Sequence, residues 1–336
     1  MSKKGYPIAI GVFAIAILLT FVLKNDYYFV ILCQIACYYI AALGMNFITG
    51  LTGQPNLGSA GIFALGAYTS ALVSMKLGIS PFFAFIPSLG VGWLVGKLLG
   101  YPSLRVEGVY LALTTMVFAE VIRILLMNMT ELTGGATGLT NIPRYHILGI
   151  TVSKFNQIAM MYAVIALFMS YLAYRIIRSR WGRSLVAIRD NVEAVGSCGI
   201  NVSKLKVTSF TVCCMFVAVG GAMYGHYATY LNPTSFSQQL SSTLVVILII
   251  GGIGTVSGVL VGTVIAILLP ELLRVVGTYY MLVYYTLFML GIILLPGGIV
   301  PTLMRSKNRL RSDDFIKMLF GWKQKGGDCN GKRNHP

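Results

Sequence analysis

Two acid–base pairs stand inside apolar sequence and are the first candidates for chemistry. Glu120 and Arg123 lie three residues apart, and Glu271 and Arg274 repeat that spacing after Pro270. Residues three apart are neighbours on a helix face, so each pair can meet. A charge at the centre of a bilayer costs roughly 2.5–3.5 kcal/mol on insertion scales, so Glu120 and Arg123 should avoid lipid. They either fix helix packing or line a polar path. No reaction centre assembles elsewhere. The histidines His146, His226 and His335 are scattered, and the six cysteines show neither disulfide nor zinc spacing. Cys33 and Cys37, one turn apart in apolar sequence, read as packing. GWLVGKLLG at residues 92–100 is one residue short of a phosphate loop, and no Ser or Thr follows Lys97. The chain therefore reads as a non-enzyme with no catalytic residues, no metal site and no cofactor of its own.

These residues must be positioned by membrane helices. The chain has 336 residues, 56% hydrophobic and only 11% charged, too little charge to cover a soluble protein of this size. Apolar runs of about 20 residues predict an all-α polytopic membrane protein with about 10 (8–10) transmembrane helices. The expected spans cover residues 7–23, 28–48, 59–75, 81–99, 109–128, 157–177, 207–227 and 281–300. Two shorter stretches, 242–250 and 259–273, are a tilted pair or broken helices around a cavity. Pro270 is placed to break or kink the second of them. Spans two and three are separated by GLTGQPNLGSAG, whose irregular backbone needs cover from protein or a water-filled cavity. Asn46, Gln54, Asn56 and Gly58 sit around that break. They either cap helices and turns or line a path. A second glycine-rich stretch, TGGATGL at 133–139, holds Gly134, Gly135 and Gly138. It is either a flexible surface loop or a docking surface.

A net charge of +16 would suggest nucleic acid in a soluble domain. Here the basic residues are sorted by side instead. With both termini cytoplasmic, most of the Lys and Arg fall on the inner face, as the positive-inside rule requires. The partner is a lipid bilayer and not nucleic acid. The densest group is a predicted cytoplasmic loop over residues 175–206, with Arg175, Arg178, Arg180, Arg183, Arg189, Lys204 and Lys206 against Asp190 and Glu193. Asp190 as N-cap with Glu193 three residues on predicts a short helix ending at Gly199. Such a helix is too short to stand alone in water. It either docks into a groove on a soluble partner or lies on the lipid headgroups. Residues 1–304 are expected to form one membrane domain, and residues 305–336 a basic, disordered cytoplasmic tail.

Taken together, these stretches resemble the inner-membrane permeases of bacterial importers for branched-chain amino acids, of the LivM type. The resemblance is carried by GMNFITGLTGQPNLGSAGIFALGAY (44–68), VEGVYLALTTMVFAEVIRILLMN (106–128) and LTGGATGLTNIP (132–143). WGRSLVAIRDNVEAVGSCGINVSKLKVTSF (181–210) and GGIGTVSGVLVGTVIAILLPELL (251–273) complete it. TVSGV stands where the family's pattern is closer to T-L-W-G-P.

The resemblance implies a multi-pass subunit of the bacterial cytoplasmic membrane that pairs with a second, related permease. Two cytoplasmic ATPases, which hold the ATP and Mg, and an extracytoplasmic binding protein would complete the importer. It maps an ATPase-coupling helix onto Arg189, Asp190, Asn191, Glu193, Ala194 and Gly199. Leucine, isoleucine and valine are the implied cargo; similar chains carry urea, short amides or nucleosides. The competing class is an ion-coupled secondary transporter working through Glu120 or Glu271.

Overall fold

A computed structural model describes residues 26–147, 150–151, 155–274, 279–294, 298–300 and 302. The expected first span and the basic tail lie outside them. Helix α1 (Asp26–Met45) runs directly into a π-helical segment, Asn46–Thr52. Gly53, in the left-handed region at φ 72°, ends it, and irregular chain leads to α2 (Ser59–Leu77). Helices α3 (Phe85–Gly100) and α4 (Val109–Asn128) follow, with a 3-10 turn at Pro102–Leu104 between them.

Beyond α4 come a one-turn helix α5 (Thr130–Thr133), a 3-10 turn Gly135–Thr137 and a two-residue antiparallel ladder, β1 (His146–Ile147) with β2 (Ile150–Thr151). Helix α6 (Phe155–Arg178) leads to α7 (Arg180–Asp190), α8 (Val192–Ser197) and α9 (Val202–Ala228). The order ends with α10 (Gln238–Gly251), α11 (Val256–Leu273) and α12 (Tyr280–Leu294).

Among the described residues six helices are long and apolar enough to cross a membrane, against the 8–10 spans expected over the whole chain, the first of which lies outside the described residues. Helix α3 has 16 residues and α10 has 14, short of the length a span needs. Helix α9 is the hub. It packs on α1, α2 and α3, and close approach replaces bulk at each contact. Gly92, Gly96 and Gly100, spaced by four on α3, face the α9 backbone near Cys214, Thr211 and Val207. The stretch rejected as a phosphate loop is thus a helix-packing stripe. Cys33, Cys37, Cys213 and Cys214 are free and buried, consistent with packing.

The pair near the C-terminus differs from expectation. Helices α10 and α11 are longer than the apolar stretches, and only residues 252–255 separate them. Thr255 caps α11 by accepting from Gly258 N at 3.2 Å. Pro270 does not end that helix, which runs on to Leu273. The missing proline N–H would leave the Ala266 carbonyl without its usual partner. Tyr284 of α12 supplies one, its hydroxyl reaching Ala266 O at 3.4 Å.

Candidate functional site

The two glycine-rich breaks, far apart in sequence, meet in the bundle. Asn46 opens the π segment fully buried, and its Oδ1 accepts from Gly254 N at 2.8 Å in the break between α10 and α11. That bond spans 208 residues of sequence. Asn46 therefore clasps one broken helix to the other. Gly50, one π turn on, has no room for a side chain, because a Cβ would collide with that Asn46 oxygen. The π form itself, rare and concentrated at functional sites, lies at the end of a continuous 27-residue helix leading into the break.

Around this clasp lie polar atoms without partners. Asn46 Nδ2, Gln54 Oε1, Ser59 Oγ and Ser257 Oγ are buried and make no hydrogen bond among the described residues. An unpartnered buried polar atom costs about 1–3 kcal/mol. So many on two adjoining breaks suit a region that takes polar contents. Asn56 does part of the turn chemistry expected of it, its Oδ1 accepting from Gly58 N at 2.8 Å. Gly58 lies against α4, where a Cβ would meet the Thr115 carbonyl at 2.6 Å.

Glu120 and Arg123 form the ion pair that their spacing predicts, Arg123 Nε donating to both carboxylate oxygens at 3.0 and 3.1 Å. The pair is not sealed in the core. Glu120 keeps 45% of its side-chain surface exposed on α4, the least buried of the six long helices. Glu271 and Arg274 also meet, at 3.5 Å, and Tyr27 donates its hydroxyl to Glu271. Their carboxylate borders a cavity of about 330 Å³ that Gln34, Gln239 and Thr243 also line.

The basic segment needs the largest correction. Residues 175–206 are not a loop carrying one helix but almost continuously helical. Helix α7 lies hidden under its charge; Gly182, Leu185 and Ile188 are its buried face. Because α7 continues through Asp190, that residue cannot cap the next helix. Asn191 does so, accepting from Ala194 N at 3.0 Å, and α8 covers Val192–Ser197 rather than about 190–199. Gly199, at φ 76°, terminates the turn as expected. Val195 is buried, while Val192 and Cys198 are exposed. Glu193 and Ala194 are exposed as well.

Arg189 points the other way. Its Nη1 donates to Gly50 O at 3.0 Å, a contact across 139 residues that no local pattern signals.

At the opposite end, Gly134, Gly135 and Gly138 all adopt positive φ. Thr133 and Gly135 are buried, and Leu139 pairs with Leu231 in an isolated antiparallel bridge. This loop is fastened to the bundle rather than flexible. Its glycines are required by backbone geometry.

Residues 27–295 match the family described as the permease component of branched-chain amino acid transport systems. The chain is 32% identical over 302 residues to the high-affinity branched-chain amino acid permease protein LivM of Salmonella typhimurium, covering 82% of this chain and 70% of that one. The Escherichia coli LivM protein is likewise 32% identical, over 79% of this chain and 68% of its own. A second permease of the Salmonella typhimurium system, LivH, is 25% identical over 78% of this chain and 91% of its own. No solved structure matches.

Proposed function

Because the chain belongs to the branched-chain amino acid transport permease family, we propose that it is the membrane-spanning subunit of an ATP-driven importer for leucine, isoleucine and valine. The observation that carries this reading is the match across residues 27–295, which takes in both breaks and the basic helices together. The similarity to both LivM and LivH supports pairing with a second, related permease. Two ATPases on the basic face hold the ATP and Mg, and a binding protein delivers cargo to the other face. On this reading the protein sits in a bacterial cytoplasmic membrane with its basic face inward.

Each group of residues takes a role. Asn46, Gln54, Asn56 and Gly58 line the path where the two breaks adjoin. Glu120 and Arg123, half-exposed on a membrane helix, face the path or the second permease rather than lipid. Asn191, Glu193 and Ala194 present the short helix to an ATPase groove, with Asp190 at the end of the preceding helix and Gly199 closing the turn. The loop with Gly134, Gly135 and Gly138 offers the binding protein a fixed surface.

The test is purification of the tagged chain from native membranes in mild detergent, followed by uptake in liposomes. Co-purifying ATPases and a second permease, with ATP-dependent leucine uptake, are the expected result. Purification of the chain alone, with uptake that needs no ATP, overturns it. ATP-dependent uptake of urea, a short amide or a nucleoside instead would keep the assembly and replace the cargo.

A further inference from the structure

The basic helix α7 does not merely lead to α8; it holds the π segment at two points. Near its start the Trp181 ring lies 6.2 Å, centroid to centroid, from the ring of Phe47 in the first turn of that segment. At its end Arg189 Nη1 donates to Gly50 O at 3.0 Å. The arginine stem lies along Gly53, where a Cβ would meet Arg189 Cγ at 3.1 Å. Gly53 is thus glycine for two reasons, its φ of 72° and the stem across it. Between the two grips, the buried Leu185 and Ile188 fix α7 against the bundle.

We infer that Arg189 is the positioning residue that transmits motion of the coupling helices to the translocation path. This deepens the importer reading and rests on it. The route consists of named contacts. Arg189 holds Gly50 O, and Gly50 lies against the Asn46 side chain. Asn46 Oδ1 in turn holds Gly254 N in the second break. A shift of α7 and α8 under an ATPase would therefore pull the π segment, and through Asn46 would move the α10–α11 break. A π segment suits this task, because its wide turn can tighten to an α turn by changing one hydrogen-bond register. The cation is well chosen for an uncharged acceptor. Its fork keeps one donor on Gly50 while the residue as a whole stays exposed.

The experiment uses the complete complex, permeases with ATPases and binding protein, in liposomes. ATP hydrolysis and leucine uptake are measured together for wild type, Arg189→Ala, Arg189→Lys and Trp181→Ala. Arg189→Ala should retain its ATPases and hydrolyse ATP within about twofold of wild type. Its uptake per ATP should fall about tenfold, the size of a typical coupling contribution. Arg189→Lys, with a single donor nitrogen in place of a fork, should recover part of that ratio. Trp181→Ala should lower it in the same direction.

A merely structural role would lower complex yield and both rates together and leave the ratio unchanged. That outcome overturns the inference. So does an unchanged uptake-to-hydrolysis ratio, and so does loss of the ATPases from Arg189→Ala, which would make Arg189 a docking contact. If wild type itself co-purifies no ATPase, the importer reading has failed, and the inference falls with its premise.

Discussion

The connections that follow α4 and α6 are built in opposite ways. The one after α4 is bolted to the bundle by bonds that reach far along the sequence. Leu139 and Leu231 exchange backbone bonds at 2.9 Å, Ile142 N reaches Thr229 O at 3.3 Å, and Tyr230 donates to Thr137 O at 3.0 Å. His226, fully buried on α9, accepts from Ser70 Oγ at 2.7 Å and donates to Pro143 O at 3.1 Å. In the connection after α6, Arg189 on α7 makes the long-range side-chain hydrogen bond, to Gly50 O, and Val195 is the buried residue of α8. On α8 the side-chain hydrogen bonds among the described residues are local, from Ala194 N to Asn191 Oδ1 and from Ser197 Oγ to Glu193 O. One end of the molecule is thus fastened, and the other carries a short helix that needs a partner to hold it. A rigid surface suits a binding protein that must dock in register; a loosely held helix suits an ATPase that must move it.

The same substitution at the two connections should give opposite results. Gly138→Ala places a Cβ against the Leu231 carbonyl at a backbone φ of 77°, which a side chain rarely adopts. The expected loss is about 3 kcal/mol or more, seen as failure to purify or a large fall in thermal midpoint. Gly196→Ala on α8 meets nothing within 4 Å and should be neutral or stabilising by up to about 1 kcal/mol. A harmless Gly138→Ala would mean the loop is not fastened. His226→Phe is the next largest, at about 2 kcal/mol, because it strands the Ser70 hydroxyl and the Pro143 carbonyl. Thermal unfolding in detergent measures it, and an unchanged midpoint would remove His226 from the latch.

The same contrast explains what the sequence made legible. Pairs set by helical spacing are readable, as Glu120 with Arg123 and Glu271 with Arg274 show. The glycine punctuation marks both breaks and both connections. Helix α7 escapes a reading by pattern because three arginines (180, 183 and 189) dominate it, although Trp181, Leu185 and Ile188 keep helical spacing. The cap falls one residue later than expected because Asp190 and Asn191 are both good caps, and only the continuation of α7 decides between them. The π segment has no residue signature. The bonds from Arg189 to Gly50 and from Asn46 to Gly254 join residues far apart in sequence, so only the fold reveals them.

The cap also tests how loosely α8 is held. Asn191→Ala should cost that helix about 1 kcal/mol while leaving the thermal midpoint of the bundle unchanged. Its expected effect is a weaker hold on the ATPases, about fivefold by co-purification at limiting ATPase concentration. Asp190→Ala should not reproduce it through capping. Equal weakening by both would return the cap to Asp190.

The smallest effect tests whether the basic end owes stability to its charges. Lys206 on α9 is buried, with 9% of its side chain exposed, and donates to Glu107 Oε1 at 2.8 Å. The hydrogen bond from the ammonium, and then its charge, lower the Glu107 carboxyl below its ordinary value of 4.5. A lowered carboxyl stabilises the folded state fully above its ordinary pKa, and that stabilisation is lost as pH falls through the folded value. Glu107 itself is 73% exposed, so solvent screens the pair to about 0.5–1 kcal/mol. Glu107→Gln should therefore lower the midpoint slightly at pH 7, and the difference from wild type should close as the pH falls below about 4. A difference that persists in acid would mean that the substitution disturbs packing, not charge, and that the grip on α7 alone holds this end together.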